Sequence, residues 1–105
     1  MEFSEQVIRE VWDKGRGTHN RPTDEWRKDE CGAWIRREQY GRETEFGWKI
    51  VNTSLEKPES AEDLRPFNWA NSFDRSTGQA KCKVTADRRD IAPTAAIDTP
   101  VNREV

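Results

Sequence analysis

No apolar run in the chain approaches the roughly 18 residues that a membrane span requires, and no charged-then-apolar leader follows Met1. A soluble, cytoplasmic protein is therefore expected. The match of Asn52-Thr53-Ser54 to a glycosylation sequon is read as chance, because without a secretory leader it would not meet the machinery. There is one histidine, His19, between Thr18 and Asn20 in a polar stretch. A lone histidine in such a loop is a solvent-facing side chain, and no role is assigned to it. There are two cysteines, Cys31 and Cys82, and neither opens a Cys-x-x-Cys knuckle, since Trp34 and Thr85 occupy the partner positions. This excludes the usual structural zinc site. In a reducing cytoplasm the two are expected as thiols acting as small buried residues, near each other if the elements that carry them are neighbours. Aliphatic side chains are also scarce: Leu, Ile, Val and Phe number 17 of 105 residues, below the rough 20% level at which disorder becomes a live reading.

Five tryptophans argue against disorder. Trp12, Trp26, Trp34, Trp48 and Trp69 all precede residue 70 and bring large apolar bodies to what is one domain's worth of chain. The net charge of −2 fits a folded protein, but it is unevenly spread. Between residues 65 and 89, six cations (Arg65, Arg75, Lys81, Lys83, Arg88 and Arg89) face only Asp74 and Asp87, so the remainder of the chain is strongly acidic. A basic C-terminal third could touch phosphate. With 36% charged residues overall, a solvated surface that is locally positive is the simpler account.

Along the chain, Phe3, Val7, Ile8, Val11 and Trp12 recur at the helical period, with Ser4 able to cap and Gly15 to stop. This predicts a helix over 4–14. The stretch 15–22 holds two glycines and a proline and reads as a loop. Thr23 can cap a short helical turn over 23–29 that carries Trp26 inward. Cys31–Arg36 and Phe46–Val51 are strand candidates, expected to pair as a hairpin with a long connection that turns at Tyr40-Gly41. A polar loop follows over 54–62. Pro66 suits a first helical turn, so a short helix is expected within 63–75, anchored by Phe67, Trp69 and Phe73. Ala80–Ala86 alternates and reads as a final strand, and residues 87–105, without aromatics, as a flexible tail.

Phe46-Gly47-Trp48-Lys49-Ile50-Val51-Asn52, followed by Asp63-Leu64-Arg65-Pro66-Phe67-Asn68-Trp69 and Asn71-Ser72, resembles the HNH nucleases. Members of this subtype carry Trp-x-Ile-Asp-His on a strand, then Asn-Leu-x-Pro-Leu-x-Trp, then a helix that opens on Asn-Asn. Val11-Trp12-x-Lys14-Gly15, Trp26-Arg27-Lys28-Asp29-x-Cys31-Gly32 and Tyr40-Gly41 resemble the lead-in, so the likeness covers about residues 7–86. It implies an α+β fold: a β-hairpin packed on a short helix, with an N-terminal helix and an extra C-terminal strand, in one domain over 1–86.

The same resemblance places the chemistry, and there the chain departs from it. The metal-binding aspartate aligns with Val51, which offers no lone pair. The general-base histidine aligns with Asn52, whose carboxamide takes up no proton at physiological pH. The asparagine that orients the histidine aligns with Asp63, and the metal ligand at the helix start with Ser72, or with Asn71 if the register slides by one. Loss of the aspartate, the histidine and the asparagine together leaves nothing with which to cleave. The resemblance thus implies a catalytically inactive domain without metal or other cofactor, serving as an interaction module for an unidentified partner. One alternative keeps nucleic-acid binding without cleavage, through Arg65, Arg75, Lys81, Lys83, Arg88 and Arg89. Another is a divergent nuclease with substitute ligands such as Asp63 and Asn52, which would need a rebuilt base as well as a rebuilt metal site.

Overall fold

A computed structural model of the chain describes residues 3–18, 21–54, 63–86 and 102–104. His19, Arg88 and Arg89 lie outside the described residues, as does most of the stretch expected to be a tail.

The first element, α1 (Glu5–Trp12), forms where the apolar period predicts it. Ser4 takes the extended conformation of an N-cap, and its Oγ accepts from the Val7 N–H at 3.3 Å. The helix ends at Asp13, one residue before the expected Lys14. Its inner face delivers Val11 and Trp12 to a core completed by Ile35, Trp48 and Leu64, with Phe3, Val7, Ile8, Tyr40 and Ile50 packed around it. Trp48 is the hub: its ring centroid lies 5.3 Å from that of Trp12 and 4.8 Å from that of Tyr40.

The rest of the described chain is a series of antiparallel strand pairs. β1 (Trp26–Lys28) pairs with β2 (Trp34–Arg36), and a 3₁₀ turn follows at Arg37–Gln39. The helical turn expected over 23–29 is corrected here: a turn closes where the Glu25 and Trp26 N–H groups both reach the Pro22 carbonyl, and Trp26 then opens a strand. Packing decides this, because as a strand residue Trp26 sets its ring edge-on to Phe46 and Trp34, at 4.9 and 6.0 Å. Nor do the two strand candidates pair with each other. β3 (Trp48–Asn52) takes β4 (Leu64–Asn68) as partner, and β2 meets the segment before β3 through a bond from Arg36 N–H to the Phe46 carbonyl at 2.9 Å.

β4 lies where a helix was expected. Leu64, Pro66, Phe67 and Asn68 are buried along it, and the ladder with β3 satisfies the backbone. Pro66 is accommodated because β4 belongs to a two-stranded sheet, in which a residue without an N–H costs little on the open side. After a turn, β5 (Ser72–Asp74) continues as a strand, paired with β6 (Gln79–Lys81), and Phe73 packs edge-on to Phe67 at 6.2 Å. Trp69, expected as an anchor, is instead 40% exposed. The final strand is split into β6 and β7 (Val84–Thr85), interrupted at Cys82 and Lys83. β8 (Arg103–Glu104) pairs with β7. The expected tail therefore does not include residues 102–104: the Asn102 amide accepts from Trp34 N–H at 2.6 Å and donates to the Trp34 carbonyl at 3.1 Å, in the manner of a third strand on β2. The outcome is a small α+β globule whose helix and β3–β4 hairpin share one core.

Cys31 and Cys82 are joined by a disulfide, with an S–S distance of 2.06 Å, across 51 residues of chain. This corrects the expectation of two reduced, buried thiols. Cys82 is exposed and Cys31 half-buried, so packing is not their contribution. In the chain-entropy account, closing a loop of that length stabilises the fold by about 4 kcal/mol.

Candidate functional site

Val51 and Asn52 end β3, and the ladder sets them opposite Arg65 and Leu64. Their side chains are not poised for chemistry. Val51 is half-buried. Asn52 Oδ1 accepts from the Ser54 N–H at 2.9 Å, an Asx turn that ends the strand. Asp63 meets the same segment through its backbone, its carbonyl accepting from Thr53 N–H at 2.8 Å and from Thr53 Oγ1 at 3.0 Å. Ser72 is exposed on β5 opposite Lys81, with no helix N-terminus beneath it.

The chemistry-bearing groups that do converge include two, Asp29 and Asn68, to which the sequence assigned no role. Asp29, Asn68 and Asn71 are the buried polar residues among those described. Asp29 Oδ1 accepts from the N–H groups of Cys31 (2.9 Å) and Ala33 (2.8 Å); Oδ2 accepts from Asn68 N–H (2.8 Å) and Asn71 Nδ2 (3.0 Å). Asn71 Nδ2 also donates to the Val84 carbonyl at 3.0 Å, while its Oδ1 accepts from the N–H groups of Lys83 (2.7 Å) and Val84 (2.9 Å). Asn68 Nδ2 donates to the carbonyls of Trp34 and Glu45, and its Oδ1 accepts from Ala70 N–H. Burial pushes the Asp29 carboxyl above its ordinary value, against the opposing pull of these donors. Three side chains thus tie the loop before β2 to the end of β4 and to β7, with the disulfide beside them. Asn71, the alternative metal-ligand position, has both ends of its amide engaged in this work.

Among the described residues no group of three His, Cys, Asp or Glu side chains is placed to hold a metal ion. No helix among them is long and apolar enough to cross a membrane.

The residues suggested for phosphate contact are dispersed. Arg65 Nε lies 3.4 Å from Glu30 Oε1. Arg75 Nη1 donates to the Ser54 carbonyl at 3.2 Å, and Lys81 Nζ is 3.7 Å from Asp74 Oδ2. The Asp74 carboxyl is held below its ordinary value, chiefly by the Ser76 hydroxyl that donates to it. Lys83 contributes its backbone to Asn71 and is exposed. Among the four that are described, Arg65 joins other cations, in a cleft of about 340 Å³ shared with Lys14, Arg16 and Lys28. Sequence reasoning missed those three because Lys28 comes from a different segment than Lys14 and Arg16. What joins them is the antiparallel bridge in which Arg16 and Lys28 exchange both backbone hydrogen bonds at 2.8 Å. The available signal was weak: two short basic pairs, Lys14/Arg16 and Arg27/Lys28, around a glycine-rich loop.

No protein-family model, no curated protein and no solved structure matches the chain.

Proposed function

We propose that the chain is a non-catalytic interaction domain, built on an HNH-like hairpin and folded without metal. One observation carries this reading. The groups at or beside the positions that would hold a metal and a base are committed to backbone: Asn52 caps the end of β3, and Asn71 bridges Asp29 to Lys83 and Val84. A side chain whose lone pairs and protons already satisfy part-buried backbone leaves only at a cost, at most roughly 1–3 kcal/mol per group stranded. The resemblance rests on the motif residues; β4, and β5 after it, in place of the expected helix are departures from it. The disulfide favours an oxidising compartment over the expected cytoplasm, since such bonds persist where thiols are not held reduced.

The test is cleavage of duplex and single-stranded DNA by the wild-type chain in magnesium, manganese or zinc. No cleavage above a buffer control is expected. Metal-dependent cleavage that Asn52→Ala abolishes would overturn the reading.

A further inference from the structure

We propose that the Cys31–Cys82 disulfide is a reversible redox latch at the root of the β5–β6 hairpin. Closed, it pins that root covalently to the loop before β2; open, it leaves the root on hydrogen bonds alone, with the core folded in both states. This does not depend on the reading of the chain as a nuclease remnant. The hydrogen bonds around the two cysteines bring them together without the bond itself. On one side, Asp29 Oδ1 accepts from the N–H groups of Cys31 and Ala33 at 2.9 and 2.8 Å. On the other, Asn71 Oδ1 accepts from those of Lys83 and Val84 at 2.7 and 2.9 Å. Asn71 Nδ2 joins the two halves by donating to Asp29 Oδ2 at 3.0 Å, and Ala86 N–H does so by donating to the Gly32 carbonyl at 2.8 Å. The Cα atoms of Cys31 and Cys82 stand 5.5 Å apart, within the span that a disulfide bridges. A frame that outlasts the bond holds them there, so the bond opens and closes without refolding.

The hairpin is the element that the latch governs. β5 leaves directly after Asn71 and β6 returns directly to Cys82, so the root carries both the hydrogen-bonded tie and the covalent one. Neither cysteine belongs to the buried cluster of Val11, Trp12, Ile35, Trp48 and Leu64, whose packing is therefore the same in both states. Cys82 is the more exposed of the pair and is where a reductant attacks. One thiolate of a dithiol bonds to Cys82 Sγ and expels Cys31 as a thiolate, which takes a proton from solvent. The second thiolate then closes the reductant's own disulfide and expels Cys82, which is protonated in turn. The protein gains two electrons and two protons, and the dithiol loses them.

Backbone amide NMR of the full chain tests this in oxidised glutathione, in excess dithiothreitol, and after the reductant is exchanged back for oxidised glutathione. A dispersed spectrum is expected in all three, with the third matching the first. On reduction, shifts should be confined to residues 29–33 and 71–86, and backbone order parameters over 72–82 should fall from about 0.85 towards 0.6. A Cys31→Ser, Cys82→Ser double variant should match the reduced chain. The proposal is overturned if reduction collapses the dispersion, which would make the bond a staple and not a latch. It is equally overturned if the hairpin's order parameters do not change, if shifts spread through 48–52 and 64–67, or if reoxidation does not restore the first spectrum.

Discussion

Asn71 Nδ2 donates to Asp29 Oδ2 at 3.0 Å across 42 residues of chain, and both residues are buried. Around that bond the acidic lead to β2, the end of β4 and the start of β7 are held in register by side-chain hydrogen bonds to backbone, in place of a continuous sheet.

Asn71→Ala should therefore cost about 2–4 kcal/mol, because it strands the Lys83 and Val84 N–H groups and one lone pair of Asp29. Asn71→Asp should cost more, since it puts a second carboxylate against Asp29 and an acceptor against the Val84 carbonyl. Denaturant unfolding gives both values. An Asn71→Asp variant as stable as wild type would mean that the network is not formed.

The Asp29 carboxyl should titrate above the ordinary aspartate value of 3.8, because burial outweighs its donors. Between the unfolded value and the raised folded value the native state holds the proton that the unfolded chain has lost. The contribution of Asp29 to stability thus falls as pH rises through that window and is level above it. Carbon-detected NMR of the Asp29 side chain measures the midpoint. A midpoint below the ordinary value would show that the four donors prevail.

How much of this was legible in the sequence depends on what decided each element. The helix was, because capping by Ser4 and the spacing of Val7, Val11 and Trp12 agree with the packing the core demands. β3 was, through its apolar run. The partner of β3 was not: Pro66 and the aromatics around it fit a helix start as well as an open-edged strand, and only the ladder from Trp48↔Asn68 to Asn52↔Leu64 distinguishes the two. Trp26 likewise became a strand residue because Phe46 and Trp34 lie where a strand presents its ring. The network of Asp29, Asn68 and Asn71 was not legible, because polar residues at loop ends look solvated until distant backbone covers them. The cysteine pairing depended on compartment, which two isolated cysteines do not reveal.

Gly47→Ala should destabilise by more than the ordinary cost of a surface substitution. A Cβ there would stand 1.8 Å from the Arg42 carbonyl oxygen, which is backbone and cannot swing aside. The turn must open, and with it the Gly47 carbonyl's bond to Trp69 N–H at 3.0 Å. A loss of about 2 kcal/mol or more in denaturant unfolding is expected. Unchanged stability would contradict the tight turn before β3.

We propose that this domain is held together by a covalent cross-link and a satisfied polar network and needs no metal to fold. Thermal unfolding of the same preparation in buffer, in excess chelator and in excess reductant tests that most directly. Buffer and chelator curves should coincide, while reductant lowers the midpoint by on the order of 15 °C, as loss of a cross-link spanning 51 residues implies. A midpoint that falls with chelator and is indifferent to reductant would contradict it.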